Sequence, residues 1–144
     1  MIPLALIVLV PFLGAIAIVA TRTKRAVRNG ILVGTGLFNL VLLTLVCLNW
    51  ESYSQASVLF DTLPGLRIAF HVEPLGLIFA MTAGVLWPIT SVYSISYLNA
   101  GNDLHQTRFH ALFCVAIGSV MGIAFAENLF TLFLFYEALT FSTW

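Results

Sequence analysis

Apolar residues run through this chain in long blocks. Ile2–Ala20, Ile31–Trp50, about Leu75–Leu98, about Phe109–Ala126 and Asn128–Trp144 are each nearly free of charge. A helix rises about 1.5 Å per residue and a bilayer's hydrocarbon core is about 30 Å thick, so such blocks predict membrane-crossing helices. The third is long enough to cross with tilt. The fifth, about 17 residues, is at the lower limit for a span. The fold class expected is all-α: a multispanning transmembrane helix bundle of about five spans, in a single transmembrane domain over residues 1–144.

Between the second and third blocks the period changes. Leu66, Ile68, Phe70 and Val72 alternate with Arg67, Ala69, His71 and Glu73, the period of a strand. Leu63-Pro64-Gly65-Leu66 before them suits a type II turn, and Val58-Leu59-Phe60 supplies a second arm. A short external β-hairpin is expected there.

Lysine and arginine positions set the expected orientation. Arg22, Lys24, Arg25 and Arg28 follow the first block and Arg108 follows the third, whereas the loop after the second holds only Arg67. The positive-inside rule then puts the N-terminus outside and the basic loops in the cytoplasm, with the chain multi-pass in the cell (inner) membrane. The same order argues against a cleaved leader. No cation precedes the first block and four follow it, the reverse of a signal peptide.

Composition narrows the class further. Charged residues make up 8% of the chain and hydrophobic ones 60%, with a mean hydropathy of +1.02. Soluble domains carry about 25% charged residues, so this chain cannot coat a globule. Its solvent is the lipid bilayer. Net charge is zero, so no polyanionic partner is implied and a nucleic-acid role has no support.

Within the blocks a few residues carry a reading of their own. Pro88 cannot donate to the Gly84 carbonyl, so a kink is expected in the third span, with Thr90, Ser91 and Ser94 available to the freed backbone. Cys47 and Cys114 fall near opposite membrane faces, too far apart for a disulfide, and read as small buried packing residues. Cys114, Gly118, Gly122 and Ala126 recur every fourth residue, a stripe that lets another helix approach closely. Gly30 and Gly34 form a shorter version.

His110 lies one turn before Cys114 on the same stripe. A histidine near the interface titrates close to physiological pH and is a candidate for proton uptake; otherwise it is a polar residue at the helix start. His105 and His110 are five residues apart, poor spacing for two ligands on one helical face, and His71 belongs to the hairpin. No metal site, haem or other cofactor is expected. Glu127 and Asn128 suit a helix start, where an acid and an N-cap are common.

Glu137 stands apart. It is the only charge after Glu127, and about 14 Å of helix separate it from Asn128, which places it near mid-membrane. An ionisable group there costs several kcal/mol unless it is neutral, paired or facing a cavity, and by default it marks a functional site, often a proton relay. Its same-face neighbours Phe133, Leu134, Thr140 and Phe141 offer it only a hydroxyl, and no lysine or arginine lies at membrane depth. Two roles compete: a proton relay in a transport subunit, or a non-conducting scaffold that binds neighbouring membrane subunits through the stripe and hairpin. Neither is a self-contained enzyme.

Several stretches match a known family. Glu73-Pro-Leu-Gly-Leu-Ile-Phe-Ala, Leu86-Trp87-Pro88, His105-Gln106-Thr107-Arg108-Phe109, and Met121-Gly-Ile-Ala-Phe-Ala-Glu127 leading to Phe135-Tyr136-Glu137 resemble the N-terminal part of antiporter-like subunits. Such subunits occur in Mrp-type sodium/proton antiporters, membrane-bound hydrogenases and respiratory complex I. Leu-Trp-Pro, Gln-Thr-Arg-Phe and Phe-Tyr-Glu resemble the D-type branch of the Mrp proteins most. The resemblance implies that Glu137 is a proton-path residue coupled to a lysine on a later helix, outside this sequence. It further implies that this chain supplies three helices and the opening two of an inverted repeat. Implied partners are other membrane subunits of a multisubunit antiporter or respiratory complex, with protons, and sodium in the antiporter case, as the ions moved.

Overall fold

The computed structural model describes residues 2–53, 58–63, 66–101 and 105–144, with backbone only for Ile2, 58–63 and Leu66. The elements in order are α1 (Ile2–Ala20), α2 (Arg25–Leu48), α3 (Trp50–Tyr53), β1 (Val58–Leu63), β2 (Leu66–Phe70), α4 (Pro74–Ala100), α5 (Gln106–Ala124) and α6 (Leu129–Thr143). Four helices (α1, α2, α4 and α5) are long and apolar enough to cross a membrane; α6, at 15 residues, is shorter. The chain is a multi-pass membrane protein, mostly helical.

The helix limits differ from the apolar blocks in a consistent way. α2 begins at Arg25 instead of Ile31, α4 runs on to Ala100, and α5 begins at Gln106. Hydropathy marks the depth of hydrocarbon, whereas helical hydrogen bonds continue into the interface through residues that tolerate the conformation. At its far end α5 stops short. It ends at Ala124 instead of Ala126 because the next backbone groups are taken by a strand: His71 donates to the Phe125 carbonyl at 2.9 Å and Glu127 to the Ala69 carbonyl at 2.9 Å. Phe70 and Ala126 form an antiparallel bridge.

β1 and β2 pair antiparallel, with Phe60 opposite Ile68 and an irregularity between Asp61 and Leu63. Pro64 and Gly65, expected to form the turn between them, lie outside the described residues. The pair is clasped to α6. Asn128 caps that helix by accepting from the Thr131 N–H at 2.8 Å, and its amide donates to the Arg67 carbonyl at 2.7 Å. Thr131 Oγ1 accepts from the Ala69 N–H at 2.9 Å.

Two buried clusters fill the bundle. One, at the end that holds β1 and β2, joins Leu4, Ile7 and Val8 of α1 to Leu43, Val46, Phe70, Val72, Leu77, Met121, Phe125 and Phe135. The other, toward the opposite end, is built from Ala15, Ile18, Leu32, Trp87, Ala111 and Cys114. The end of α1 and the starts of α2 and α5 share that opposite end, which gathers Arg22, Lys24, Arg25, Arg28 and Arg108.

Two expectations about small residues fail. Cys47 is exposed, not a buried packing residue; only Cys114 is buried. Gly30 and Gly34 do not extend the close-packing pattern: an added Cβ at either would meet nothing within 4 Å. Both faces lie turned away from the neighbouring helices.

Candidate functional site

α6 packs through Thr131, Phe135 and Ser142, its buried positions. Thr131 is tied to β2, and the Phe135 ring lies 5.6 Å from that of Phe70 and 6.4 Å from that of Phe12. Residues advance about 100° around a helix, so Glu137, two positions beyond Phe135, faces the opposite side. It is exposed, on a surface shared with Phe133, Tyr136 and Phe141. Among the described residues no hydrogen bond or ion pair reaches its carboxylate. α6 therefore turns its one carboxylate away from the bundle, about 12 Å along from Leu129.

His110 is placed oppositely. It is 1% exposed, inside the bundle, and among the described residues its Nδ1 has no hydrogen-bond partner. One turn before it, Gln106 accepts from Arg28 Nη2 at 2.7 Å and donates to the Leu98 carbonyl at 3.0 Å; Thr107 accepts from Arg28 Nη1 at 2.9 Å. This arrangement joins α2, α4 and α5 and stands between His110 and the basic end. His110 and Glu137 are not brought together: one points into the bundle, the other away from it.

Three residues of the stripe, Cys114, Gly118 and Gly122, lie on α5. Cys114 is buried, a Cβ on Gly118 would come within 2.8 Å of the Phe12 ring, and one on Gly122 would overlap the Phe135 ring. Gly118 thus admits α1 and Gly122 admits α6. Ala126, the expected fourth member, is not on the helix at all. It sits in the segment that bridges to Phe70, because backbone pairing with β2 replaces the last helical turn.

Sequence reading missed a polar interior. Arg28, counted only as a loop cation, is 3% exposed, and Asn39 is fully buried on the same face of α2. The buried positions Arg28, Leu32, Gly36, Asn39 and Leu43 follow helical spacing from the first turn, with two polar residues on the stripe that faces the bundle. Buried Asn39 Oδ1, Trp87 Nε1 and Ser91 Oγ also lack hydrogen-bond partners among the described residues. Polar groups thus line the space inside α1, α2, α4 and α5, while Glu137 lies outside it.

No protein-family model matches the chain. Over 79 residues it is 28% identical to the Na(+)/H(+) antiporter subunit A1 of one Staphylococcus aureus strain, covering 55% of this chain and 10% of that protein. A second strain's subunit A1 is 27% identical over the same length. In fold it matches a chain of the membrane-bound sulfane sulfur reductase, an archaeal respiratory membrane complex, with a TM-score of 0.79 at 20% identity, over 98% of this chain and 22% of the other. The sequence likeness is thus to antiporter subunits over part of the chain, and the structural likeness is one of fold. The chain spans about a tenth of the curated relatives it matches. Those relatives are A1 subunits, whereas the Leu-Trp-Pro and Phe-Tyr-Glu elements resemble the D-type branch.

Proposed function

We propose that this chain is the N-terminal portion of a proton-translocating subunit in a multisubunit cation/proton antiporter or related respiratory membrane complex. The observation that carries this reading is Glu137: an unpartnered carboxylate far along an apolar helix, turned away from its own bundle. A charged group cannot rest against hydrocarbon at that depth without a partner or a hydrated cavity. The face around it is therefore one that another protein segment covers, and a lysine there is the partner that would let the pair exchange protons as a unit. α6 is then a fifth crossing.

Five cations at one end of the bundle support a cytoplasmic placement of that end, with the N-terminus and the strands outside. His110, one turn in from Gln106 with an unpartnered Nδ1, is proposed as the residue that takes up protons. The family likeness supports neighbouring membrane subunits as partners.

A scaffold role is the competing reading, favoured by Gly118 and Gly122 as close-contact sites. Both glycines, however, are occupied by this chain's own Phe12 and Phe135, which leaves them no free surface for another subunit. Glu137→Gln in the assembled complex separates the two. Lost proton or sodium transport with intact assembly supports the relay; unchanged transport with normal assembly supports the scaffold.

A further inference from the structure

At the basic end, a cleft of about 670 Å³ opens between the end of α1 and the start of α5. Arg22 and Thr23 line it from one side, Thr107 and Arg108 from the other, with Val19 and Leu112 at its inner rim. Among the described residues neither arginine has an acidic partner.

Three features of this cleft point to an anion. The two guanidinium groups are the first, each able to bind a phosphate through paired N–H donors. The second is the start of α5. Its first helical bond from this end is Phe109 N–H to the His105 carbonyl, so among the described residues the N–H groups of Gln106, Thr107 and Arg108 have no helical acceptor. The N-cap His105 supplies no side-chain cap either. Such a helix start attracts negative charge. The third is Arg28 behind the wall. Its Nη1 bonds Thr107 Oγ1 at 2.9 Å, which leaves the threonine's own proton to donate into the cleft and adds a third positive charge nearby.

A second groove, about 330 Å³, adjoins the first and shares Arg108 and Leu112 with it. It runs between α5 and α6 and is lined by Phe113, Ala116 and Trp144. A free phosphate ion would use only the polar half of this surface. A molecule with a phosphate at one end and hydrocarbon at the other would use both, at the depth where a bilayer puts its headgroups. We propose that the Arg22–Arg108 cleft binds the headgroup of an anionic phospholipid whose acyl chains lie in the α5–α6 groove. This requires only that the chain spans a membrane, and it stands whether or not Glu137 carries protons.

The test uses the intact protein in mild detergent. Dioleoyl phosphatidylglycerol, dioleoyl phosphatidylcholine or sodium phosphate is added, and the thermal unfolding midpoint and the retained lipid are measured. Phosphatidylglycerol should raise the midpoint, while phosphatidylcholine and sodium phosphate leave it unmoved. Arg22→Ala with Arg108→Ala should remove that shift and cut retained phosphatidylglycerol about tenfold or more, the scale set by two interfacial arginines. Arg22→Lys with Arg108→Lys should keep most of the binding. Phosphatidylglycerol with brominated chains should quench Trp144 in the unmutated protein, which decides the matter even if the alanine pair fails to fold. An equal shift with phosphatidylcholine, an equal shift with sodium phosphate, undiminished retention by the alanine pair, or no quenching would overturn the proposal.

Discussion

Asn39 on α2 donates through Nδ2 to the Ile7 carbonyl of α1 at 2.8 Å, and Ile7 is the residue four places before Pro11. Proline has no N–H, so the helical bond that would close on Ile7 is missing. A buried asparagine thus supplies the donor that a buried proline cannot, and the bond pins the first two helices in register.

That relationship predicts coupling. Asn39→Leu should destabilise the protein by about 1 kcal/mol, the scale of a polar bond inside a membrane bundle. In a Pro11→Ala background the helix regains its own donor, and the same substitution should cost much less. Denaturation of the four proteins in detergent checks this. Equal costs in both backgrounds would mean that the proline and asparagine are unrelated.

The glycines should separate by surroundings. Gly122→Ala must displace a Phe135 ring held between those of Phe12 and Phe70, and should cost about 1–3 kcal/mol. Gly118→Ala meets only the edge of the Phe12 ring and should cost less. Gly34→Ala meets nothing and should be neutral or stabilise by about 0.5–1 kcal/mol through helix propensity. Thermal unfolding midpoints in that order would support the packing; a destabilising Gly34→Ala would contradict it.

Arg28 and Gln106 depend on each other in one direction more than the other. Gln106→Leu leaves a buried guanidinium short of an acceptor and the Leu98 carbonyl without its donor, a loss of about 2 kcal/mol. Adding Arg28→Met removes the stranded charge and should restore part of the stability, because a buried charge without its partner is worse than no charge. A double variant less stable than Gln106→Leu alone would show that Arg28 stabilises the fold by other means.

Much of the architecture is legible in the chain itself. Runs such as Ile2–Ala20 cannot be hydrated, and helices satisfy their own backbone, so four long apolar helices follow from composition, with ends shifted by up to six residues. Asn128 as a cap follows from its side chain and its place before an apolar run. Glu137 is conspicuous for the same local reason: one charge in a long apolar stretch.

What could not be read is which side each residue takes. Hydropathy is nearly uniform around α1, α4 and α6, so there it carries almost no information about facing, and lipid-exposed and buried positions use the same residues. Only packing shows that Arg28 turns inward to Gln106, that Cys47 is exposed, that Ala126 leaves its helix for a strand, and that Glu137 faces away from the bundle while His110 faces in. Spans, caps and an isolated carboxylate are written into the order of residues, because they depend on transfer into lipid and on bonds between near neighbours. The polar interior and the outward glutamate come from the assembled bundle, because a helix's rotation about its axis is set by the helices it packs against.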